Sequence, residues 1–545
     1  MKDATHFIVC QNDRRARKIV SLPTRIDDAN RPFSESPMKF NSLLISPDDN
    51  TVTLLAPCAA GDELRFAEGG GVGVIRAQSA IPFGHKAARR AIHAGEEIIK
   101  YDEVIGTASA DIAVGEHVHT QNVKSTRGRG DLGTEAVETE RVAVERTTAL
   151  LTGKPVVDAS KLTFRGYPRP DGSAGIRNYV AVVACVVCVN DVVLKLGDMD
   201  GVAVFTHQQG CCQTGPDISV ISEVLTNLAF NPNVGAILYV SLGCESVQSQ
   251  TVLAKARASG KPAELLVIQE EGGASKTLEL AKAKVEEMKK QIACEPVDVP
   301  FSKLKLGLKC GSSDTTQGLS ANVIAGMMTD IFVAAGASVV MGETTEFMGA
   351  EHIAARRAAN QQTADAIEKA VADMEARAKA IGVDMRGGQP TRGNIAGGLT
   401  TIEEKSLGAL VKSGTAVFQD VLRYGERRSL PGLVMMDSPG REPEILTGLA
   451  SAGCSLVIFT TGRGAPQGFP FMPVIKVTGN SNTWKMLSEH IDSYVGGIMD
   501  GEVTNEEAAK AFFNELLEFV NGRKTRAEEC RYYNSMNIYV TGPVI

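Results

Sequence analysis

The sequence predicts an α/β protein in which a small β-rich module precedes two α/β domains. After Phe164, short apolar runs alternate with helical segments, which is the pattern of layered α/β structure. Between residues 41 and 122, β-like runs are separated by Gly and Asp turns, which favours a compact β module. Because 545 residues exceed one ordinary core, several domains are expected.

Shifts in composition divide the chain into five segments. Residues 1–38 combine a basic cluster with a polar stretch and form an N-terminal extension. Residues 39–124 form the β-rich module. Residues 125–162 form a polar linker, because the stretch from Lys124 to Leu132 is rich in Gly and Arg and a charged stretch follows it. The first α/β domain is expected at residues 163–300 and the second at residues 301–545.

Apolar runs place seven strands in the two α/β domains. They are predicted at residues 179–189, 202–206, 236–241, 304–308, 338–341, 432–436 and 455–460. Residues 349–381 are rich in Ala, Glu, Arg and Lys, so they predict one long, partly exposed helix.

Composition narrows the classes of function. A formal charge of −7 and a single Trp argue against a nucleic-acid partner, and no apolar run is long enough to span a membrane. Eleven cysteines, an odd number in a long chain, favour reduced thiols in the cytoplasm. We therefore expect a cytoplasmic protein with neither a nucleic-acid nor a membrane partner.

Polar loops follow one predicted strand after another. In open α/β sheets, ligands bind outside the carboxyl ends of the strands. The candidate residues in these loops are His207, Cys211, Cys244, Glu343, Glu346, Asp437 and Arg463. The sequence leaves open whether they share one crevice.

The cysteines have two interpretations. A lone Cys at a strand end is usually a small buried hydrophobe, but Cys211, Cys244 and Cys310 each adjoin a Gly, which makes a ligand role an equal alternative. Cys185 and Cys188 form a CxxC inside an apolar run, where a buried strand is the better explanation.

The eight histidines are few enough for their positions to be informative. His117 and His119 flank Val118, so they share one face of a strand and suit a metal, although exposed polar residues are the alternative. His85 lies in a Gly-His-Lys turn, and His207 in a Gly-bearing loop is a candidate acid/base or ligand.

The candidate carboxylates also have structural alternatives. Glu343 and Glu346 are three residues apart and face together only in a helix, where their charge would also complement the helix N-terminus. Asp314 is either a catalytic group or an N-cap.

Several ordered segments resemble the altronate/galactarate dehydratase family. They are FRGYPRPDGSAGIRN, THQQGC, SLGCE, LKCGSSD, SANVIAG, GNIAGGLTTIEEKSLGA and FTTGRG. GHK, IIKY and ADIAVGEHVHTQN of the β-rich module are similar to the family's small SAF domain, a β-clip fold. The resemblance runs from about Asn41 to beyond Asp500.

The resemblance implies a hydro-lyase that removes water from an aldonate or aldarate, giving a 2-keto-3-deoxy acid. HVH and THQ-x-GC are nearer to altronate dehydratase, with galactarate dehydratase or a sulfo-acid lyase as alternatives. A binding protein on the same scaffold, without turnover, is the remaining alternative. A divalent metal is expected, Fe²⁺ or else Mn²⁺, and the chain is expected to form a homo-oligomer.

Roles follow for the candidate residues. The catalytic candidates are His207, Glu343, Glu346 and Asp314. The substrate-binding candidates are His85, Lys86, Arg463 and Asn178, of which His85 is brought to the site by the SAF-like module. The metal-binding candidates are Cys211, Cys244, Cys310 and His119.

Two metal centres are compatible with these residues. If Cys211, Cys244 and Cys310 converge, three thiolates suit a [4Fe–4S] cluster with one open position. If they do not, His and carboxylate groups suit a mononuclear divalent ion. We favour the mononuclear ion, because Cys212 adjoins Cys211 and free Cys is usually buried.

Overall fold

Three sheet-containing parts follow one another along the chain. The computed structural model describes residues 40–125, 127, 157–382 and 389–545, which belong to one compact unit. The predicted extension at residues 1–38 lies outside the described residues, as does most of the predicted linker at residues 125–162.

The first part is the β-rich module, as predicted. Its strands are β1 (Ser42–Leu43), β2 (Thr51–Leu54), β3 (Glu63–Glu68), β4 (Gly71–Arg76), β5 (Lys86–Ala88), β6 (Glu97–Lys100), β7 (Glu103–Ala108), β8 (His117–Val118) and β9 (Val123–Lys124). They form the sheets β1-β2-β5-β8 and β6-β7-β9 and the hairpin β3-β4. The hairpin turns at Gly69 and Gly70, both with positive φ, as a two-residue turn between twisted strands requires.

The second part contains a four-stranded parallel sheet in the order β13-β12-β14-β15. Its strands are β12 (Tyr179–Ala184), β13 (Val202–Phe205), β14 (Val234–Ser241) and β15 (Ala263–Val267). Its helices are α1 (Asn190–Leu194), α2 (Gly215–Leu228), α3 (Ser249–Ala256), α4 (Ile268–Glu271) and α5 (Ala274–Gln291). Every residue of β14 is buried, which explains its continuous apolar sequence.

A small antiparallel sheet closes the second part. It has the order β11-β10-β16 and consists of β10 (Thr163–Pro168), β11 (Ala174–Gly175) and β16 (Val297–Pro300). Because β10 precedes the parallel sheet and β16 follows it, the two ends of this part are joined by hydrogen bonds.

The third part contains a seven-stranded parallel sheet in the order β19-β20-β18-β17-β21-β22-β23. Its strands are β17 (Lys305–Gly311), β18 (Ser338–Met341), β19 (Phe418–Leu422), β20 (Gly432–Met436), β21 (Leu456–Thr461), β22 (Val474–Thr478) and β23 (Ser493–Tyr494). Its helices are α6 (Thr315–Leu319), α7 (Ala321–Ala334), α8 (Glu351–Arg356), α9 (Gln361–Ala380), α10 (Arg392–Ala396), α11 (Ile402–Leu410), α12 (Glu442–Ser451), α13 (Ser481–Met486), α14 (Asn505–Val520) and α15 (Arg526–Cys530).

The strand order reverses between β17 and β21. Strands β18, β20 and β19 lie on one side of β17. Strands β21, β22 and β23, which come later in the sequence, lie on its other side. The loops after β17 and β21 therefore diverge, and such a switch point is where α/β sheets usually bind ligands.

Hydrophobic cores join the three parts. Ile98 and Ile105 of the β module belong to the same buried cluster as Leu319 and Leu407 of the third part. Another cluster unites residues of the two parallel sheets, such as Ile237 and Val434. Across the described ranges, no helix is long and apolar enough to cross a bilayer.

The last residues of the chain return to the second part. The amide nitrogens of Thr541 and Gly542 donate to the Asp217 carboxylate at α2, and the amide of Ile545 donates to the Cys212 carbonyl. We call residues 531–545 the C-terminal strap.

The α/β content confirms the predicted class, but some elements differ. The strands at 338–341 and 432–436 are found as predicted, whereas β15, β19 and β22 were missed. The prediction of a single helix over residues 349–381 is wrong, because the helical structure is interrupted between α8 and α9. Asn360 begins α9 by accepting a hydrogen bond from the Thr363 amide.

Candidate active site

Three histidines of the β module meet at one point. The potential ligand atoms of His85, His117 and His119 all lie within 4.8 Å of one another. His85 Nδ1 is 3.0 Å from His117 Nε2, and the rings of His117 and His119 stack with centroids 5.2 Å apart. We call these residues the histidine triad.

The strand register produces the triad. Strand β5 pairs with β8 so that Ala87 lies opposite His117, and His85, which immediately precedes β5, contacts both other rings. Asn122 fixes the turn after β8: its Oδ1 accepts from the His119 amide, and its Nδ2 donates to the His117 carbonyl. The triad is therefore built on paired strands and a braced turn.

The imidazoles of the triad are held in the neutral form. Burial, aided by the charge of Lys86, lowers the pKa of His117 to about 4 and that of His119 to about 3, and burial also lowers the pKa of His85. Neutral imidazole is the form that binds metals. His119 Nδ1 is buried and has no hydrogen-bond partner among the described residues, as expected of a ligand atom.

A glycine-rich loop of the third part lies against the triad. His85 Nε2 is 3.5 Å from the Ala396 carbonyl, and the Gly397 carbonyl accepts from the Thr315 amide. A Cβ on Gly398, whose φ is +95°, would lie 2.5 Å from the Gly84 carbonyl oxygen. Only glycine allows the two backbones to approach so closely.

A buried carboxylate joins the β module to the third part beside the triad. Glu404 accepts hydrogen bonds from Lys86 Nζ at 2.8 Å and Lys100 Nζ at 2.8 Å, and all three side chains are essentially inaccessible to solvent. Thr400 adds its amide and its hydroxyl to the same carboxylate. Lys86, which the sequence predicts as a substrate-binding residue, is thus engaged in a buried ion pair.

Asp314 packs against Gly397 of the same glycine-rich loop. It caps α6 by accepting from the Gln317 amide at 3.1 Å, and its other oxygen accepts from Asn480 Nδ2 at 2.8 Å. Burial raises the pKa of this carboxyl group. The hydroxyl of the next residue, Thr315, is buried without a partner among the described residues.

Arg463 follows β21 at the same switch point. Its amide donates to the Ser312 carbonyl, and its guanidinium donates to the Gly393 carbonyl at 2.9 Å. The side chain is otherwise exposed, so it remains available to an anion near the glycine loop.

Glu343 and Glu346 form a separate buried ion network. Lys309 Nζ lies 2.5 Å from Glu343, and Lys412 Nζ contacts both carboxylates. Glu343 adopts a left-handed φ of 67°, and a 3₁₀ turn follows, so the predicted helical N-terminus is a tighter turn. These groups are occupied by one another and by the Cys310 amide.

A small cavity lies beside Asp314 and Glu404. Its volume of about 10 Å³ is room for roughly one water. Cys310, Asp314, Gln317 and Glu404 are among the residues that line it.

Two predicted site residues lie elsewhere. His207 is fully buried in the second part, where Nε2 contacts the Ala184 carbonyl and Nδ1 accepts from the Gln209 amide. Burial lowers its pKa to about 4, and both ring nitrogens hold the backbone. Asn178 precedes β12, at the opposite end of the strand from the loops, and bridges Arg169 and the Ile292 carbonyl. Neither meets the triad.

The predicted cysteine set does not converge. Cys310 is buried in β17 against Asn322 and Thr460, whereas Cys211 and Cys244 follow strands of the other parallel sheet. Of the predicted metal ligands, His119 alone belongs to a described group of three ligand atoms. The structure therefore does not bring Cys211, Cys244 and Cys310 together, which is the case in which the sequence favours a mononuclear ion held by His and carboxylate groups.

Sequence reasoning missed several residues at this site. His117 was noted as a possible ligand but not ranked among the metal-binding candidates, and Lys100, Thr315 and Glu404 were not singled out. For Glu404, the available signal was its place in the glycine-rich segment that supplies the loop on the triad.

Three family models match consecutive parts of the chain. The altronate/galactarate dehydratase SAF domain matches residues 40–126, the second domain of D-galactarate dehydratase/altronate hydrolase matches residues 166–293, and the C-terminal domain of D-galactarate/altronate dehydratase matches residues 301–544. Altronate dehydratase of Bacillus subtilis is 33% identical over 500 residues, which cover 89% of this chain and 96% of that protein. The chain belongs to the altronate/galactarate dehydratase family.

Two further relatives define the range of chemistry. Altronate dehydratase of Escherichia coli is 30% identical, with 91% of this chain and 98% of that protein covered. The (2R)-sulfolactate sulfo-lyase subunit beta of Chromohalobacter salexigens is 37% identical over 374 residues, covering 67% of this chain and 94% of that protein. The predicted family and the predicted enzyme class, a hydro-lyase, are confirmed.

Proposed function

We propose that this member of the altronate/galactarate dehydratase family removes water from altronate or a similar aldonate at the histidine triad. The product is a 2-keto-3-deoxy acid. The observation that carries the proposal is the convergence of three neutral imidazoles where the SAF module contacts the switch point of the seven-stranded sheet. The fold, the family and the chemistry of the ligand atoms all support an active site at the histidine triad.

The triad fits a divalent metal ion. Two imidazole nitrogens bound at about 2.0–2.1 Å to one ion lie roughly 3 Å apart. His85 Nδ1 and His117 Nε2 are 3.0 Å apart, and the unpartnered Nδ1 of His119 completes the group. Bound there, Fe²⁺ or Mn²⁺ would supply positive charge for the enediolate that forms when a proton leaves the carbon beside the carboxylate.

The residues around the triad divide the remaining tasks. Arg463 binds the substrate carboxylate, because its exposed guanidinium lies at the loop that contacts the triad. Asp314 accepts the proton that leaves the carbon beside the carboxylate and passes it to the departing hydroxyl group, because burial raises its pKa and its oxygens are positioned by Asn480 and the start of α6. The Thr315 hydroxyl, buried and unpartnered, binds a substrate oxygen.

Glu343 and Glu346 are assigned a supporting role in this proposal. Their ion network with Lys309 and Lys412 contacts the amide of Cys310, a residue that lines the small cavity beside Asp314. The buried charges set the electrostatic potential at the carboxyl end of β17 without contacting substrate.

The test is turnover of a panel of sugar acids. The protein is purified anaerobically, supplied with Fe²⁺ or Mn²⁺ and incubated with hexonates and hexarates, and 2-keto acids are measured with semicarbazide. We expect keto acid from altronate or a near relative. His119→Ala should abolish both activity and tight metal binding, whereas His93→Ala, an exposed histidine of the same module, should retain both.

A sulfo-acid lyase is the second candidate, favoured by the 37% identity to the sulfolactate enzyme subunit. Sulfolactate belongs in the same panel, with release of sulfite measured in parallel. Sulfite without keto acid from any sugar acid would replace the dehydratase proposal, and the absence of both products would overturn the two together.

A further inference from the structure

Solvent-accessible thiols are concentrated in the second part of the chain. Cys188, Cys212 and Cys244 are exposed, and Cys211 is half-buried. Free cysteine is among the most buried residue types, as Cys185, Cys310 and Cys454 are here. Packing accounts for those buried residues but not for the exposed ones.

The topology of the sheet brings the four thiols to one edge. Cys188 follows β12, Cys211 and Cys212 follow β13, and Cys244 follows β14. These three strands are parallel neighbours, with β12 between β13 and β14. Their carboxyl-end loops therefore emerge side by side.

Backbone hydrogen bonds join the three loops. The Val187 amide, next to Cys188, donates to the Gln209 carbonyl at 3.0 Å. The Ser246 amide, two residues after Cys244, donates to the Gly210 carbonyl at 3.0 Å, and the Cys212 amide donates to Ser246 Oγ at 3.3 Å. The thiol-bearing segments are held against one another by the fold.

The local geometry is specialised for this approach. Gly210 has a φ of +112°, and a Cβ there would lie 2.6 Å from the Cys185 carbonyl oxygen. Cys212 adopts a φ of 55°, which is unfavourable for a residue with a side chain. Its sulfur lies 3.7 Å from that of Cys211.

We propose that Cys188, Cys244 and the Cys211–Cys212 pair form a binding site for an iron–sulfur cluster, separate from the histidine triad. Thiolates are soft ligands that favour such clusters. Within the described residues, three ligand atoms approach within 4.8 Å at the triad and nowhere else, so the thiols are spread more widely than a single small ion requires. A cluster accepts this spacing because each cysteine binds a different iron.

The experiment measures iron and acid-labile sulfide in the full chain, purified anaerobically and reconstituted with ferrous iron and sulfide. We expect a cluster with its visible absorption, lost in Cys188→Ser, in Cys244→Ser and in the double variant Cys211→Ser/Cys212→Ser. Cys294→Ser is the matched control, because Cys294 is exposed but follows α5, away from these loops.

The His119→Ala variant separates this site from the proposed dehydratase centre. It should keep the sulfide and the cluster absorption even though its triad no longer binds metal. Absence of sulfide from the reconstituted wild-type chain, zinc in place of iron, or sulfide retained in the Cys188→Ser and Cys244→Ser variants would each overturn the cluster proposal.

Discussion

Glu404 offers the sharpest test of how the β module is attached. Its carboxylate is fully buried and accepts from Lys86 and Lys100, both of which belong to the module. Glu404→Gln keeps the shape but removes the charge, so that two ammonium groups remain buried without a counter-charge. Breaking a buried ion pair in this way costs about 3–5 kcal/mol.

The loss should depend on pH. Lys100 and Lys86 hold the pKa of Glu404 well below its usual value despite burial, so the carboxylate stabilises the fold above about pH 4.5, and that contribution is lost as the pH falls. The wild type and Glu404→Gln should therefore converge in acid. In the variant, Lys86 is the group that gives up its proton, because burial already lowers its pKa to about 8.

The assay is urea unfolding, followed together with metal retention at the triad. Asp373→Asn is the control, because Asp373 pairs with Lys369 on the surface and such a pair contributes at most about 1 kcal/mol. Adding Lys86→Met to Glu404→Gln should recover part of the loss, since it removes one orphaned charge. If Glu404→Gln unfolds at the same urea concentration as Asp373→Asn, the reasoning fails.

Three further changes test other parts of the structure. Gly462→Ala would place a Cβ 2.2 Å from the Asp314 carboxyl carbon, so the activity should fall at least about tenfold. Gly215→Ala is the control, because its Cβ would meet nothing within 4 Å, and it should leave the activity unchanged. Equal rates for the two variants would contradict the placement of Asp314. Burial lowers the pKa of Lys261 to about 7, so the free energy of unfolding of the wild type should rise by roughly 1 kcal/mol per pH unit between about pH 7 and 10. Lys261→Met should lack this slope when the two proteins are unfolded in urea at several pH values. Asn122→Ala removes the two hydrogen bonds that fix the turn after β8, so the metal affinity should fall about 10-fold or more in a metal titration. An unchanged affinity would show that the turn does not need these bonds.

The strands could be predicted from the sequence where they are uniformly apolar. SVVM and GLVMM are buried strands whose bounds could be predicted directly. Strand β22 was missed because Lys476 interrupts its apolar run, yet that lysine is buried. Strand β19 carries Gln419 and Asp420, which resemble loop residues in isolation. Tertiary burial, which a local pattern does not contain, decides such cases.

The candidate site shows the same division. The alternation of His117 and His119 around Val118 was visible in the sequence, but the register that adds His85 depends on the pairing of β5 with β8 across about thirty residues. His207 looked functional because it lies in a glycine-bearing loop. Its burial, with both nitrogens on backbone groups, could be known only from the fold.

The C-terminal strap has a consequence for biosynthesis. Its partners, Asp217 and Cys212, are synthesised more than three hundred residues earlier than Thr541 and Ile545. At about 5–20 residues per second, the nascent chain waits on the order of tens of seconds before the strap leaves the ribosome. During translation, the edge that carries Cys212 therefore stands uncovered by this segment, and chaperones or cofactor-delivery proteins have a defined interval in which to reach it.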